Sequence, residues 1–394
     1  MGEIFPLKNP IQNYAWGSHT ILGRMRNVPV PTEQPEAELW VGAHPAAPSV
    51  ATVDQQAQAL NALVAAEPDR FLPAERAADW FPFLFKILAI EAPLSIQVHP
   101  TPEQAIAGFE DEQARGIALD APNRNYKDRY SKPETVIALT DMQVLTGVRE
   151  SEQLRVLARF FQAHWLEERL ELAPKALLTE IIRMKQEQAD AAVAALVAAA
   201  ASLIDSEDAL VADAARLVQH VHAKYPGDRG LLVAFVMNLL HLAPGDSAFT
   251  PDGQVHAYVS GSAIELMNPS DNVMRAGLTS KHIDSEELIK VLGEKQSAPI
   301  IARPAPEEGP VGVYAMWDER MSVTRIALEA NQELEYTFAG TSALLVVTGQ
   351  VQVRAQKSEY TLRGTESLLH AGEADRVVLQ AGGEPAQLYI ASYI

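Results

Sequence analysis

Cysteine is absent from all 394 residues. That excludes disulfides, thiolate nucleophiles, iron–sulfur clusters and cysteine-ligated zinc, so any metal must sit on nitrogen and oxygen donors. Positive charge is scarce too: 32 Lys and Arg stand against 51 Asp and Glu, a formal net charge of −19. Such a balance rules out a general grip on nucleic acid and disfavours adsorption to anionic membranes. Long hydrophobic runs are also missing. The longest, Ala191 to Ile204, lies between Asp190 and Asp205 and falls short of the roughly 20 residues of a spanning helix. The start, Met1-Gly2-Glu3-Ile4-Phe5-Pro6, lacks the basic and apolar segments of a secretory leader. Pro6 stands where a myristoylation motif needs Ser or Thr. The chain is expected to be cytoplasmic and monomeric, with no nucleic-acid or membrane partner. At 47% hydrophobic and 21% charged residues it reads as an ordinary globular protein, long enough for two or three cores.

Three textures follow one another. Residues 1–149 are rich in Pro, Trp and short apolar runs. Phe81 to Leu88 and Leu94 to His99 read as strands, ended by Pro93 and Pro100. From 150 to 236, Ala, Leu, Glu and Gln dominate, and apolar residues recur at three and four from Ile181 to Val218. That is helical periodicity, with breaks at Asp205-Ser206-Glu207-Asp208 and Tyr225-Pro226-Gly227-Asp228. From 237 onward strands and glycine turns return. Residues 303–310, Arg-Pro-Ala-Pro-Glu-Glu-Gly-Pro, read as a linker. Leu345 to Val353 then reads as a hairpin, and the short strands to Ile394 suggest a double-sheet jelly roll.

Chemistry concentrates in three stretches. In Ser95-Ile96-Gln97-Val98-His99 the polar residues share one strand face and the apolar ones the other. In Lys132-Pro133-Glu134 a cation and a carboxylate share a face; taken alone, they read first as a surface ion pair, which would contribute little. The turn Pro251-Asp252-Gly253 feeds a strand presenting His256, which continues through Glu265 to the polar run Ser270 to Thr279. Together Gln97, His99, Glu134 and His256 form a nitrogen and oxygen set that suits zinc, iron or manganese. Around a dication this set keeps a local positive charge, strengthened by Lys132 and Arg275, so it should attract an anionic ligand to an otherwise acidic protein. Arg275 could instead pair with Asp271, one helical turn back in number. His220 and His222 are two apart on a helix and face different ways. His19, His44, His164, His241, His282 and His370 show no partner pattern.

These motifs occur together in one known family. Pro82-Phe83-Leu84-Phe85-Lys86, Pro93 to Pro100, Lys132-Pro133-Glu134, Val255-His256-Ala257-Tyr258 and Ser270 to Thr279 resemble the signatures of type I mannose-6-phosphate isomerases. Tyr14-Ala15-Trp16-Gly17-Ser18 and Ala37 to Pro45 match as well, all in family order. The resemblance implies a mainly β fold with an α-helical insert: a cupin-type catalytic jelly roll (1–149 and 237–302), a helical insert (150–236), and a C-terminal jelly roll (311–394) after the linker. It implies one zinc on Gln97, His99, Glu134 and His256, and a sugar-phosphate substrate interconverted between mannose 6-phosphate and fructose 6-phosphate. The chain departs from the family at Ser131, where a His commonly precedes Lys-Pro-Glu.

For that chemistry Lys132 and Arg275 are the candidates to hold negative charge, and Glu265 or Asp271 the candidate base. His99 and Asp271 are candidates to assist ring opening. Ser95, Trp16 and Tyr258 join Lys132 and Arg275 as candidate substrate contacts. Two rivals remain: a non-haem iron cupin oxygenase, and a sugar-phosphate-binding cupin without catalysis. A fourth protein ligand, Gln97, speaks against the first; the retained Lys132, Glu134 and Arg275 speak against the second.

Overall fold

The computed structural model describes residues 2–72 and 81–394. The long, largely buried strand His256–Met267 is the hub of a ten-stranded antiparallel sheet. It pairs with Leu84–Ile90 and Glu134–Ala138 through one half and with Met142–Val148 through the other. One straight strand cannot serve both sets of neighbours. The register shifts between Tyr258 and Ser260, and the bend falls at Gly261, with φ of +107°. A side chain there would place its Cβ 2.6 Å from the Asp141 carbonyl oxygen, so glycine is required. Leu84–Ile90 is buried throughout, which is why its sequence is continuously apolar apart from Lys86. It starts three residues later and ends two later than the run expected from Phe81 to Leu88.

An eight-stranded sheet combines five strands from the C-terminal third with Glu3–Lys8, Val50–Val53 and Gln56–Ala59. The first strand pairs with Ser367–Ala371, so this sheet bridges residues on either side of the linker expected at 303–310. A four-stranded sheet, Glu333–Phe338, Asp375–Ala381, Gln350–Arg354 and Glu359–Arg363, covers one face of it. Ile326, Leu344, Val346 and Leu388 from one sheet meet Val351, Val353 and Leu379 from the other in a single apolar layer. The opposite face of the eight-stranded sheet, with Ala343, Leu345 and Val347, packs on Phe85, Ile87, Ile264 and Leu266 of the ten-stranded sheet. Thr341–Thr348 is therefore buried on both sides, and its sequence does not alternate.

The hairpin expected at Leu345 to Val353 does not form. Thr341–Thr348 pairs with Ser367–Ala371 and Ala386–Tyr393, whereas Gln350–Arg354 pairs with Glu359–Arg363 and Asp375–Ala381. Gly349, with φ of +75°, is the corner where the chain passes from one sheet to the other. A Cβ there would meet the Pro385 carbonyl oxygen at 2.5 Å. Apolar-Gly-apolar text fits a hairpin and a change of sheet equally well.

Helices fill Ser151 to Val236: Ser151–Phe160, His164–Glu167, Pro174–Ile182, Gln186–Leu203, Ala209–Lys224 and Gly230–Val236. Leu178, Val193, Leu196, Val218 and Phe235 share one apolar core there. Asp208 caps Ala209–Lys224 by accepting the amides of Leu210 and Val211. Helices leave from Met142–Val148 and return into Met237–Leu242, which lie side by side as an antiparallel pair with a register shift between Met237 and Asn238. Among the described residues no helix is long and apolar enough to cross a membrane.

Candidate active site

The register of the ten-stranded sheet brings distant residues together. Gln97, on the short strand Ile96–Val98, lies opposite His256, and Glu134 opens the strand paired alongside. Ligand atoms of His99, Glu134 and His256 all lie within 4.8 Å of one another, and all three residues are buried. Glu134 Oε1 is 3.4 Å from His99 Nε2, and its Oε2 is 3.2 Å from His256 Nε2. Each imidazole is held from behind: Nδ1 of His99 faces the Asn272 carbonyl at 2.7 Å, and Nδ1 of His256 the Gln254 carbonyl at 3.0 Å. A carbonyl only accepts, so Nδ1 carries the proton and Nε2 offers its lone pair inward. Burial and the Lys132 ammonium push His99 down to about 4, keeping that ring neutral. Burial alone would raise Glu134, yet Lys132 and the imidazoles hold it well below the carboxylate range. His99 Nε2 is buried without a hydrogen-bond partner. An orphaned lone pair beside a second imidazole and an ionised carboxylate is a donor set that fits a divalent cation.

A cavity of 50 Å³ lies against this group, lined by Ser95, Gln97, Lys132, Glu134, His256, Tyr258 and Glu265 among others. The side chains of Ser95 and Gln97 do share a face, with the Gln97 amide donating to the Ser95 hydroxyl at 3.1 Å. Lys132 and Glu134 are not a surface pair: the ammonium sits 2.9 Å from Glu134 Oε1 and both are buried. Tyr258 donates to Glu134 at 3.3 Å; burial and the carboxylates of Glu134 and Glu265 keep its phenol protonated.

A larger cavity of 570 Å³ adjoins it, sharing Ser95, Gln97, Lys86, Glu38 and Lys132, and adding Trp16, Asp271 and Arg275. The pairing of Asp271 with Arg275 does not occur. Asp271, about half exposed at 51%, meets His44 Nε2 at 3.4 Å. Burial works to raise the Asp271 carboxyl, but His44, Lys132 and Lys86 hold it below its ordinary value. Arg275 makes no ion pair among the described residues, and burial lowers its pKa. Glu265 is buried with its Oε2 2.9 Å from Lys86 Nζ. Burial raises this carboxyl, and the nearby Glu134 and Glu38 add to that while Lys86 opposes it.

Sequence reasoning passed over several participants. Lys86 bridges Glu265 and Glu38, the latter at 3.2 Å, and lies over the Trp40 ring. Burial would discharge it, yet the two carboxylates hold its pKa above the usual lysine value. The signal was available: a lysine within a fully apolar strand demands a counter-charge, and Trp40, Lys86 and Glu265 fall in one cross-strand row. His44, given no partner from sequence, pairs with Asp271 and stands edge-on to Trp40. Asn272 is fully buried: its side chain accepts the Lys127 amide and donates to the carbonyls of Asp128 and Tyr130, while its own carbonyl holds His99. Ser131 is buried, its hydroxyl on Asp252.

Residues 4–151 match the family model for the catalytic domain of phosphomannose isomerase type I. Mannose-6-phosphate isomerase of Salmonella typhimurium is 34% identical over 97% of this chain and 98% of its own. The chain belongs to the mannose-6-phosphate isomerase family. The human mannose-6-phosphate isomerase is 31% identical over 75% of this chain and 74% of its own. Among solved structures, a mutant phosphomannose isomerase from Salmonella typhimurium superposes with a TM-score of 0.87 at 29% identity, covering 99% of both chains. The Salmonella mannose 6-phosphate isomerase bound to fructose 6-phosphate and zinc superposes at 0.84 and 30%, again over 99% of both. The candidate site draws on this mannose-6-phosphate isomerase's chain both inside and beyond the matched region: Glu38, Lys86, His99 and Glu134 lie within it, and His256, Glu265 and Arg275 beyond it.

Proposed function

We propose that this isomerase interconverts mannose 6-phosphate and fructose 6-phosphate through an enediol(ate), with one zinc held by His99, Glu134, His256 and Gln97. The observation carrying this reading is the convergence of the first three on one point beneath a cavity walled by cations. Zinc, when bound, supplies a redox-silent Lewis acid that polarises the sugar oxygens.

The remaining chemistry falls to the chain. One proton must leave C2 and arrive at C1, and a second must pass from O2 to O1. Glu265 is the assigned base, because it lines the same small cavity as Glu134 and His256 and its proton affinity is raised by burial. Asp271 is absent from that cavity, bound to His44, and lowered rather than raised, so it is assigned to sugar-hydroxyl contacts and ring opening. Lys132 holds negative charge developing on the enediolate oxygens, close to Glu134. Arg275, without a carboxylate partner among the described residues, faces the phosphate. Ser95, Trp16 and Tyr258 position the sugar. Ser131, turned to Asp252, takes no proton-transfer role.

A coupled assay for fructose 6-phosphate on zinc-replete protein tests the reading, with glucose 6-phosphate as comparison substrate. Isomerisation of mannose 6-phosphate that falls on chelation and returns with zinc is expected. Oxygen consumption with bound iron, or sugar-phosphate binding without turnover, would replace the reading with an oxygenase or a binding protein.

A further inference from the structure

We propose that Lys224, the last residue of the helix Ala209–Lys224, is a substrate-binding residue that completes the phosphate end of the cavity. The proposal rests on the isomerase reading above and extends it to the helices, to which no part of the chemistry has so far been given. Lys224 and Tyr225 form part of the wall of the 570 Å³ cavity, which Arg275, Thr279 and Lys281 also line.

Charge sets this end apart. Among the described residues, Lys224, Arg275 and Lys281 make no ion pair, although the protein carries 51 carboxylate side chains. Burial and the neighbouring Arg275 lower the Lys281 ammonium, and the carboxylates of Glu38 and Asp271 oppose this without restoring it. Three free cations around one cavity end suit a dianionic phosphate monoester, and no neutral sugar hydroxyl needs them.

Position is fixed as well. The Tyr225 hydroxyl donates to the Pro93 carbonyl at 2.7 Å, tying the helix end to the loop before Ile96–Val98. The Asp228 carboxylate accepts the Gly230 amide at 2.7 Å and the Thr279 amide at 3.3 Å, joining the same segment to the chain that carries Lys281. Gly230 and Gly277 pack backbone to backbone; a Cβ on Gly230 would lie 2.8 Å from the Gly277 Cα. The root of Lys224 is thus held against the strand bearing Arg275. A lysine ending a helix also gains from the helix dipole, but that gain is a matter of stability and is indifferent to phosphate.

A charge that grips phosphate equally in substrate and transition state affects KM and leaves kcat alone. Lys224→Ala in the zinc-loaded enzyme should raise KM for mannose 6-phosphate and the inhibition constant of inorganic phosphate together, by roughly tenfold, with kcat within about twofold. Lys224→Glu should raise both further, and Lys224→Arg should restore them. Calorimetric titration of inorganic phosphate into wild type and variants reads the same site without turnover. If the wild type isomerises but Lys224→Ala leaves KM and phosphate affinity unchanged, this inference is wrong and the isomerase reading stands. A fall in melting temperature with no change in phosphate affinity also overturns it. Wild type that binds phosphate through Lys224 but does not isomerise would overturn the function and keep the binding residue.

Discussion

The two ends of the cavity treat charge in opposite ways. Near the imidazoles every charged group is matched: Lys86 between Glu38 and Glu265, Lys132 against Glu134. At the other end Arg275, Lys281 and Lys224 make no ion pair among the described residues. Matched buried pairs shift proton affinities and hold side chains in place, and breaking one strands a charge in a poor solvent. Unmatched cations at a cavity mouth hold nothing in place; they are satisfied when an anion arrives. The contrast assigns reaction chemistry to one end and recognition to the other.

The matched end breaks hardest. His256→Ala should abolish measurable turnover and strip the metal; a full equivalent of zinc by metal analysis in that variant would refute the ligand set. At the recognition end, Arg275→Ala should lower kcat/KM by roughly 10³-fold while zinc stays bound, because a cation against a phosphate is lost. Unchanged kcat/KM would remove Arg275 from the site. Glu265→Gln should lower kcat by roughly 10²–10³-fold with bound zinc retained and phosphate affinity intact. A loss confined to KM would instead place Glu265 with the recognition residues.

The smallest effect concerns Asp252, which accepts the Lys132 amide at 3.3 Å and the Ser131 hydroxyl. Burial pushes its carboxyl up to about 7 from 3.8, against the pull of those two bonds. The folded state therefore holds this proton more tightly than the unfolded chain. Its favourable contribution is complete below the unfolded value and is lost as pH rises through 7. Asp252→Asn never ionises, so its melting temperature relative to wild type should climb by about 2–4 °C between about pH 5 and about pH 8. A flat difference would show that Asp252 does not titrate in that window.

Much of the site was legible as text. His99, Glu134 and His256 were recognisable as donors because a polar residue that alternates with apolar ones on a strand must face something. The β-rich fold with helices was legible for a similar reason, since the period of apolar residues changes abruptly. What stayed hidden depends on register and on contacts between elements. Nothing in the order of residues places Trp40, Lys86 and Glu265 in one row, or His44 beside Asp271. The alternative Asp271–Arg275 pair does not form because Arg275 lies in the extended strand Met274–Gly277, where four residues do not make a turn. Lys224 was illegible for the plainest reason: it sits far from every motif and reaches the cavity only through folding.

Residues 149–236 enter and leave the sheet at Val148 and Met237, which are direct cross-strand partners. In topology, then, the whole bundle is an overgrown hairpin loop. Lengthening or pruning such a loop leaves the ladder beneath it untouched and costs only slowly growing closure entropy. Descendants of this fold are free to resize or regraft their helices wherever they touch only one another. That freedom ends where the helices share a core with Ile96, Val98 and Ala276 or pair with Glu286 and Glu294, and at the stretch from Lys224 to Gly230.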